Sequence, residues 1–389
     1  MKQTLKILHL ASFSGNIGDN ANHSGFRPWL VSVANCKAEW TELEIREYYW
    51  KERKFDESFV ELVSGFDLLV IGGGNYFELW VERSATGTSI DIPLDVFAQI
   101  KIPIFFNALG CDEGQGVTDI SLGKFTRFLQ LLVGSPQYLV TVRNDGAMKT
   151  LRKHMPTTLA EKVYIIPDGG FFLDFTESSP PYLRASKKRI GINLASDMAE
   201  VRFKNFGDTN GYGIFCDEFA KMLEILAEED PEIHYFFFPH IFRDLSIMAD
   251  VISRLGDRLR RTRISTAPYV TGPEGAKHIF GLYRQCQLFL GMRFHANVCA
   301  MSMGLPTIGL CNYPQIDSLY EEINHPDGCL NVRDPGFSTS LRNKISASLS
   351  GDQLSRESAR VMRDVNHVRK SFERVLSAWL QRNALSGNP

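Results

Sequence analysis

The strongest constraint on this chain is a rhythm. A short apolar run is followed by a glycine-rich or polar loop, then by a stretch with helical spacing, and the pattern repeats along most of the sequence. Strands alternating with helices imply an α/β fold with a mostly parallel sheet covered on both faces. In the first half, strands are expected at Lys6–Ala11, Glu42–Tyr48, Asp67–Ile71, Ile102–Leu109, Tyr138–Val142 and Val163–Ile166, with a helix over Thr118–Val133. In the second half, strands are expected at Arg189–Ala195, His234–Pro239, Arg263–Thr266, Gln287–Gly291 and Thr307–Leu310. Helices are expected there at Gly213–Glu228, Asp244–Leu255, Glu274–Gln285 and Phe294–Met303.

The rhythm breaks once, at the polar double-proline segment Thr176–Pro181. With 389 residues, at about 150 per domain, the chain has room for two or three domains. The reading is two Rossmann-like domains facing a cleft, residues 1–180 and 181–340, followed by C-terminal helices over 341–389. By analogy with other two-domain folds, those helices pack back on the first domain. Ligands of such sheets bind just past the strands' carboxyl ends.

Lys and Arg number 43 against 45 Asp and Glu, for a formal charge of −2, which disfavours a wholesale nucleic-acid binder. The seven cysteines form no C-x-x-C pair, so neither a disulfide framework nor a zinc knuckle is expected, and a reducing compartment fits best. No metal-ligand cluster is evident. No apolar run is long enough to span a bilayer.

The loops after the strands hold the candidate site. Gly15–Asn20 follows the first strand and opens a helix whose amides point at an anion. Asp19 there is either a base or sugar-binding group, or a helix cap. Gly72, Gly73, Gly74 and Asn75 lack the spacing of a dinucleotide or phosphate loop. They still suit a backbone nest for an anion or sugar, with a plain turn as the alternative. Arg143 ends the fifth strand, and its planar fork suits a carboxylate or phosphate, or else a neighbouring acid. His240 either contacts a ligand or caps the helix opened by Asp244. Arg293 and His295 fall where a strand passes into a helix N-terminus, an anion site. That position lowers the pKa of a histidine, and a bound phosphate raises it again, making a proton donor.

Together Gly15–Asp19, Gly72–Gly74, Thr141–Asp145, Pro239–Asp244, Arg293–His295 and Gly304–Pro306 resemble the polysaccharide pyruvyl transferase family, in order and spacing. The resemblance spans most of the chain. It implies the fold of B-type glycosyltransferases and transfer of the pyruvyl group of phosphoenolpyruvate onto a sugar as a cyclic ketal. No cofactor is implied beyond phosphoenolpyruvate as co-substrate. Carried over by position, Arg143, Arg293 and His295 look like donor-binding residues. Two departures stand out. Gln315 follows Tyr313 and Pro314 where family members often have a lysine, and Gly169 follows Asp168 where they tend to have a proline.

The mechanism so implied gives one anionic group of the donor to Arg143 and the other to Arg293, with His240 beside them. His295 is the candidate acid, or stabilises the leaving phosphate. Asp19 is the candidate for the acceptor hydroxyls, with Asn16, Gly73, Gly74 and Asn75 as further acceptor contacts. The acceptor would be a lipid-linked or nucleotide-linked sugar of a surface polysaccharide precursor such as a capsule or exopolysaccharide. The enzyme would then be cytoplasmic, at the inner face of the membrane for a lipid-linked acceptor. Trp379 on the last helix either touches that surface or packs into the core, and core packing is the plainer alternative. Rival readings are a B-type glycosyltransferase using a nucleotide sugar and a non-catalytic relative in a glycan locus. A dehydrogenase is a distant third, because no dinucleotide fingerprint follows the first strand.

Overall fold

The computed structural model describes residues 4–114, 116–174, 183, 188–204 and 211–387. The chain divides into two compact units. The first comprises Met1–Ser14, Asn22–Gly169 and Asn366–Pro389, and the second comprises Gly15–Ala21 and Gly170–Val365. The double-proline boundary at 176–181 lies outside the described residues. By contact, the opening turn of the helix Ile17–Ala34 belongs to the second unit, because Ile17 and Ala21 pack with Phe236, Ala296 and Cys299. A cut at residue 180 places that turn in the first domain. The contact division differs because apolar packing, not chain order, decides membership.

In chain order the strands of the first unit are β1 (Thr4–Ala11), β2 (Lys37–Glu44), β3 (Leu68–Gly72), β4 (Phe77–Glu78), β5 (Ile104–Leu109), β6 (Cys111–Asp112), β7 (Tyr138–Arg143) and β8 (Tyr164–Ile166). Six of them form a sheet in the order β2-β1-β3-β5-β7-β8, and β4 pairs with β6 alone. Every pairing is parallel. Central strands are buried on both faces, so β3 and β5 read as unbroken apolar runs. Strand β2 is an edge strand with an alternating, half-exposed pattern. This explains a displacement from the expected Glu42–Tyr48. The aromatic residues Tyr48 and Tyr49 belong to a short helix, Arg46–Tyr49, instead.

The second unit carries β9 (Lys188–Asn193), β10 (Ile233–Phe237), β11 (Ile264–Thr266), β12 (Leu288–Gly291), β13 (Thr307–Cys311) and β14 (Cys329–Asn331). Their order is β11-β10-β9-β12-β13-β14, again all parallel. This is the doubly wound order of nucleotide-binding sheets. The core of this unit centres on Ile190, Ile192, Leu288 and Leu290, flanked by Phe215 and Phe219 of the helix Gly211–Glu229. Burying each such side chain contributes about 1.5–3 kcal/mol.

The helix Gln353–Arg382 serves both units. Val361 and Val365 pack in the second unit's core with Phe294 and Tyr320. Phe372, Leu376, Trp379 and Leu380 pack in the first unit's core with Leu5, Val70 and Phe105. Trp379 is 5% exposed, and its indole N–H donates to the Pro136 carbonyl at 3.1 Å. It is a core residue. Among the described residues, no helix is long and apolar enough to cross a membrane.

Candidate functional site

In the second sheet the chain order reverses between β9 and β12. Open parallel sheets bind ligands at the carboxyl ends of strands at such a switch point. Strand β9 ends at Asn193 and β12 at Gly291. Asn193 ties the two ends together. Its backbone carbonyl accepts from the Met292 N–H at 3.1 Å, and its side-chain oxygen accepts from the Arg293 N–H at 3.0 Å. Arg293 is therefore fixed at the switch point, as the N-cap of the helix Phe294–Ser302.

The Arg293 guanidinium is gripped by two acids. Its Nε donates to Asp244 Oδ2 at 2.9 Å, and its Nη2 donates to Asp197 Oδ1 at 2.6 Å. Burial lowers the Arg293 pKa, but the two carboxylates outweigh it and raise it, so the charge is permanent. Asp244 is fully buried and also accepts from the backbone amides of His240 and Ile241. Burial pushes the Asp197 carboxyl up, while Arg293 and Arg202 outweigh it and hold it below the usual range. Arg202 reaches Asp197 at 3.0 Å, and its guanidinium lies 4.1 Å above the ring of Tyr313. The described bonds of Arg293 run from Nε and Nη2.

His295 is the second residue of the same helix, within its first turn at the positive end, and is 6% exposed. Gly18 packs against it so closely that a Cβ on Gly18 would fall 2.4 Å from His295 Nδ1. Asn16 caps this turn by accepting from the Gly18 N–H at 3.1 Å, and its amide donates to Asp19 at 3.3 Å. Asp19 is nearly buried. The loop read as an acceptor contact of the first domain thus stands beside His295 in the second unit. His240 is fully buried, and its Nε2 lies 2.6 Å from the Tyr283 hydroxyl. Burial, then Arg293 and His295, hold its pKa well below the ordinary value, so it is neutral. Its Nδ1 has no partner among the described residues, nor has either amide atom of the buried Asn312. Asp197, Arg202 and Asn312 escaped the sequence reading. Their signal was position alone: Asn312 directly follows β13, while Asp197 and Arg202 lie in the stretch after β9, Arg202 closing the short helix Ala199–Arg202.

In the first unit, Arg143 is 4% exposed and donates to Asp145 at 2.6 Å, with Asp168 at 3.9 Å. Gly72 and Gly73 take positive φ, 134° and 91°, conformations that favour glycine. The Gly73 N–H donates to the Asn107 carbonyl, and the Gly74 carbonyl accepts from the Gly110 N–H. These groups of the glycine triplet are spent on packing. Gly169 lies against the backbone of Asn22, where a Cβ would come within 2.1 Å of its carbonyl oxygen. The absence of proline at 169 thus has a steric reason.

Beyond the glycine triplet, Asn75 donates to Asp112 at 3.4 Å. Glu78 of β4 and Asp112 of β6 are register partners, so two carboxyl groups sit side by side. Burial raises the Glu78 pKa to about 7, with Asp112 adding to the rise and the Ser89 hydroxyl opposing it. A carboxyl tuned near neutrality is suited to proton transfer. Two-residue strands show no periodicity, which is why this pair went unseen. Among the described residues, no cluster of metal-capable side chains includes Arg293, His295 or Glu78.

The family model described as polysaccharide pyruvyl transferase matches residues 1–312. Among curated proteins, no sequence matches. Solved structures match the fold at low identity. One is a glycosyltransferase from Rickettsia africae ESF-5, with 10% identity, TM-score 0.54, 97% of this chain and 99% of that one covered. Another is UDP-GlcNAc 2-epimerase from Neisseria meningitidis bound to UDP-GlcNAc, with 10% identity, TM-score 0.53, and 96% and 99% covered. The architecture is that of the B-type glycosyltransferases and related epimerases. With residues 1–312 of its 389 matched by the family model, this chain is a member of the polysaccharide pyruvyl transferase family.

Proposed function

We propose that the protein transfers the pyruvyl group of phosphoenolpyruvate to a sugar of a surface-polysaccharide precursor, closing a cyclic ketal. The observation that carries this reading is the Arg293–His295 turn at the switch point of the second sheet. It couples a permanent cation to an imidazole on a helix N-terminus.

In this reading the donor's anionic groups meet Arg293 Nη1 and Arg202. Arg202 supplies the second cation that Gln315 does not. His295 protonates the methylene carbon of the enol phosphate, leaving a carbocation-like centre at C2. A sugar hydroxyl adds there and loses its proton. The C2–O bond to phosphate then breaks, and phosphate leaves with its electron pair. A second hydroxyl closes the ketal, again losing a proton. The balance is donor plus diol giving ketal plus inorganic phosphate. Asp19 and Asn16 are assigned to acceptor hydroxyls on the second unit.

The test is thermal-shift or calorimetric titration with phosphoenolpyruvate, run beside UDP and UDP-hexoses. A ligand at about 100 times its Kd stabilises by about 2.7 kcal/mol. A shift with phosphoenolpyruvate alone, reduced in Arg202→Ala, supports the reading. A shift with nucleotides alone overturns it in favour of glycosyl transfer.

A further inference from the structure

Three side chains from consecutive elements, Cys311, Asp317 and Cys329, converge at the far edge of the second sheet. Cys311 ends β13, Cys329 begins β14, and Asp317 lies in the first turn of the helix Pro314–Glu322. The two sulfurs and a carboxylate oxygen all lie within 4.8 Å of one another. Cys311 is buried, while the other two are part-exposed, so the group is reachable from solvent.

Strand register decides what the two thiols can do. Cys329 pairs with Gly309, and Cys311 pairs with Asn331. The cysteines are therefore diagonal neighbours on one face, with Cα atoms roughly 7–8 Å apart. A disulfide rarely spans more than about 6.8 Å between Cα atoms, so direct oxidation of the pair needs backbone movement. An ion between the sulfurs needs only small side-chain shifts. Zinc binds thiolate at about 2.3 Å and carboxylate at about 2.0–2.2 Å in tetrahedral geometry, so its ligand atoms lie about 3.6–3.8 Å apart, and these three atoms already stand within 4.8 Å of one another. The absence of a side chain at Gly309 gives Cys329 its room, since a Cβ there would come within 2.8 Å of the Cys329 Cβ. A backbone oxygen, that of Pro326, lies 3.5 Å from the Cys329 sulfur.

We propose that Cys311, Cys329 and Asp317 form a site for a zinc-class divalent cation. Two sulfurs and one oxygen select a borderline-soft ion over calcium or magnesium. Its role is to fasten the helix Pro314–Glu322 to the sheet. That helix carries Tyr320, whose hydroxyl donates to Asn297 Oδ1 at 2.9 Å. Asn297 in turn donates to the carbonyls of Gly291 and Arg293 at 2.9 and 2.8 Å. The cation thus braces, at one remove, the turn that presents Arg293. The three ligands come from two strands and the helix between them, and their spacing matches no familiar zinc-ligand pattern in the sequence.

The experiment is titration of the chelator-stripped, reduced full chain with cobalt(II) and then zinc. The expected result is a thiolate-to-cobalt charge-transfer band saturating at one ion per chain, bleached by zinc, and a rise in Tm with zinc. Cys329→Ser, at a part-exposed position, loses both signals. Asp317→Asn keeps the band but weakens binding. Cys36→Ser, in the other unit, leaves both signals unchanged. No band in the wild-type chain, a band that survives Cys329→Ser, or a Cys311–Cys329 disulfide in the non-reduced protein by mass spectrometry would each overturn the proposal.

Discussion

Gly18 and His295, distant in sequence, are packed so tightly that no β-carbon fits at residue 18 without moving the imidazole. Alanine in a helix is favoured over glycine by about 1 kcal/mol, and less in a first turn. Overpacking costs about 1–3 kcal/mol. The steric cost wins, so Gly18→Ala is expected to lose up to about 2 kcal/mol of stability. By displacing His295 it is also expected to lower kcat for pyruvyl transfer more than it changes donor KM. Thermal unfolding and phosphate-release kinetics check both.

Arg293→Ala leaves the carboxylate of Asp244 buried without its cation. Breaking such a pair costs about 3–5 kcal/mol, seen as a lower denaturant midpoint. Adding Asp244→Asn recovers part of the loss. The neutral amide oxygen still accepts from the His240 and Ile241 amides, and the uncompensated charge is gone. Arg293→Lys keeps the charge but loses the fork, so it is expected to retain most stability and lose donor binding.

Glu78 gives a pH signature in the first unit. Its pKa rises from 4.5 to about 7 on folding, mainly through burial. The folded state therefore binds the proton more tightly than the unfolded chain does. The resulting stability is full below about pH 4.5 and is lost as pH climbs through about 7. Its size is up to about 3 kcal/mol, since each tenfold change in proton affinity is worth about 1.4 kcal/mol. Tm measured from pH 5 to pH 8 should fall more steeply in the wild type than in Glu78→Gln. Equal slopes refute the assignment.

Trp379→Ala removes a buried indole and its hydrogen bond to Pro136. A loss of about 3–5 kcal/mol is expected. Vesicle binding of the folded variant should equal that of the wild type, since the ring is not available to a membrane surface.

The βα rhythm was legible because parallel strands are buried on both faces and so read as plain apolar runs. Arg293 and His295 were legible because a strand, a turn and a helix follow one another in a single stretch. What the sequence concealed was made by tertiary contact. Asp197 reaches Arg293, and Arg202 reaches Asp197, from the stretch that follows β9. Glu78 meets Asp112 through a two-residue strand pair without period. Strand β2 was shifted because the aromatic residues Tyr48 and Tyr49 mimic strand composition in a short helix. Strand β14 is three half-buried residues and was missed for the same lack of pattern.

The long helix that begins among Val361 and Val365 and ends among Phe372 and Trp379 has a consequence for synthesis. The first unit takes its opening strand from the earliest residues and its closing wall from residues beyond 366. Emerging from the ribosome, that half lacks Phe372, Leu376, Trp379 and Leu380 from its core until residues 170–365 have been made. The second unit, contiguous from 170 to 365 apart from one borrowed turn, can complete itself first. The first unit's core is therefore completed last in synthesis, after the second unit's residues are all in place.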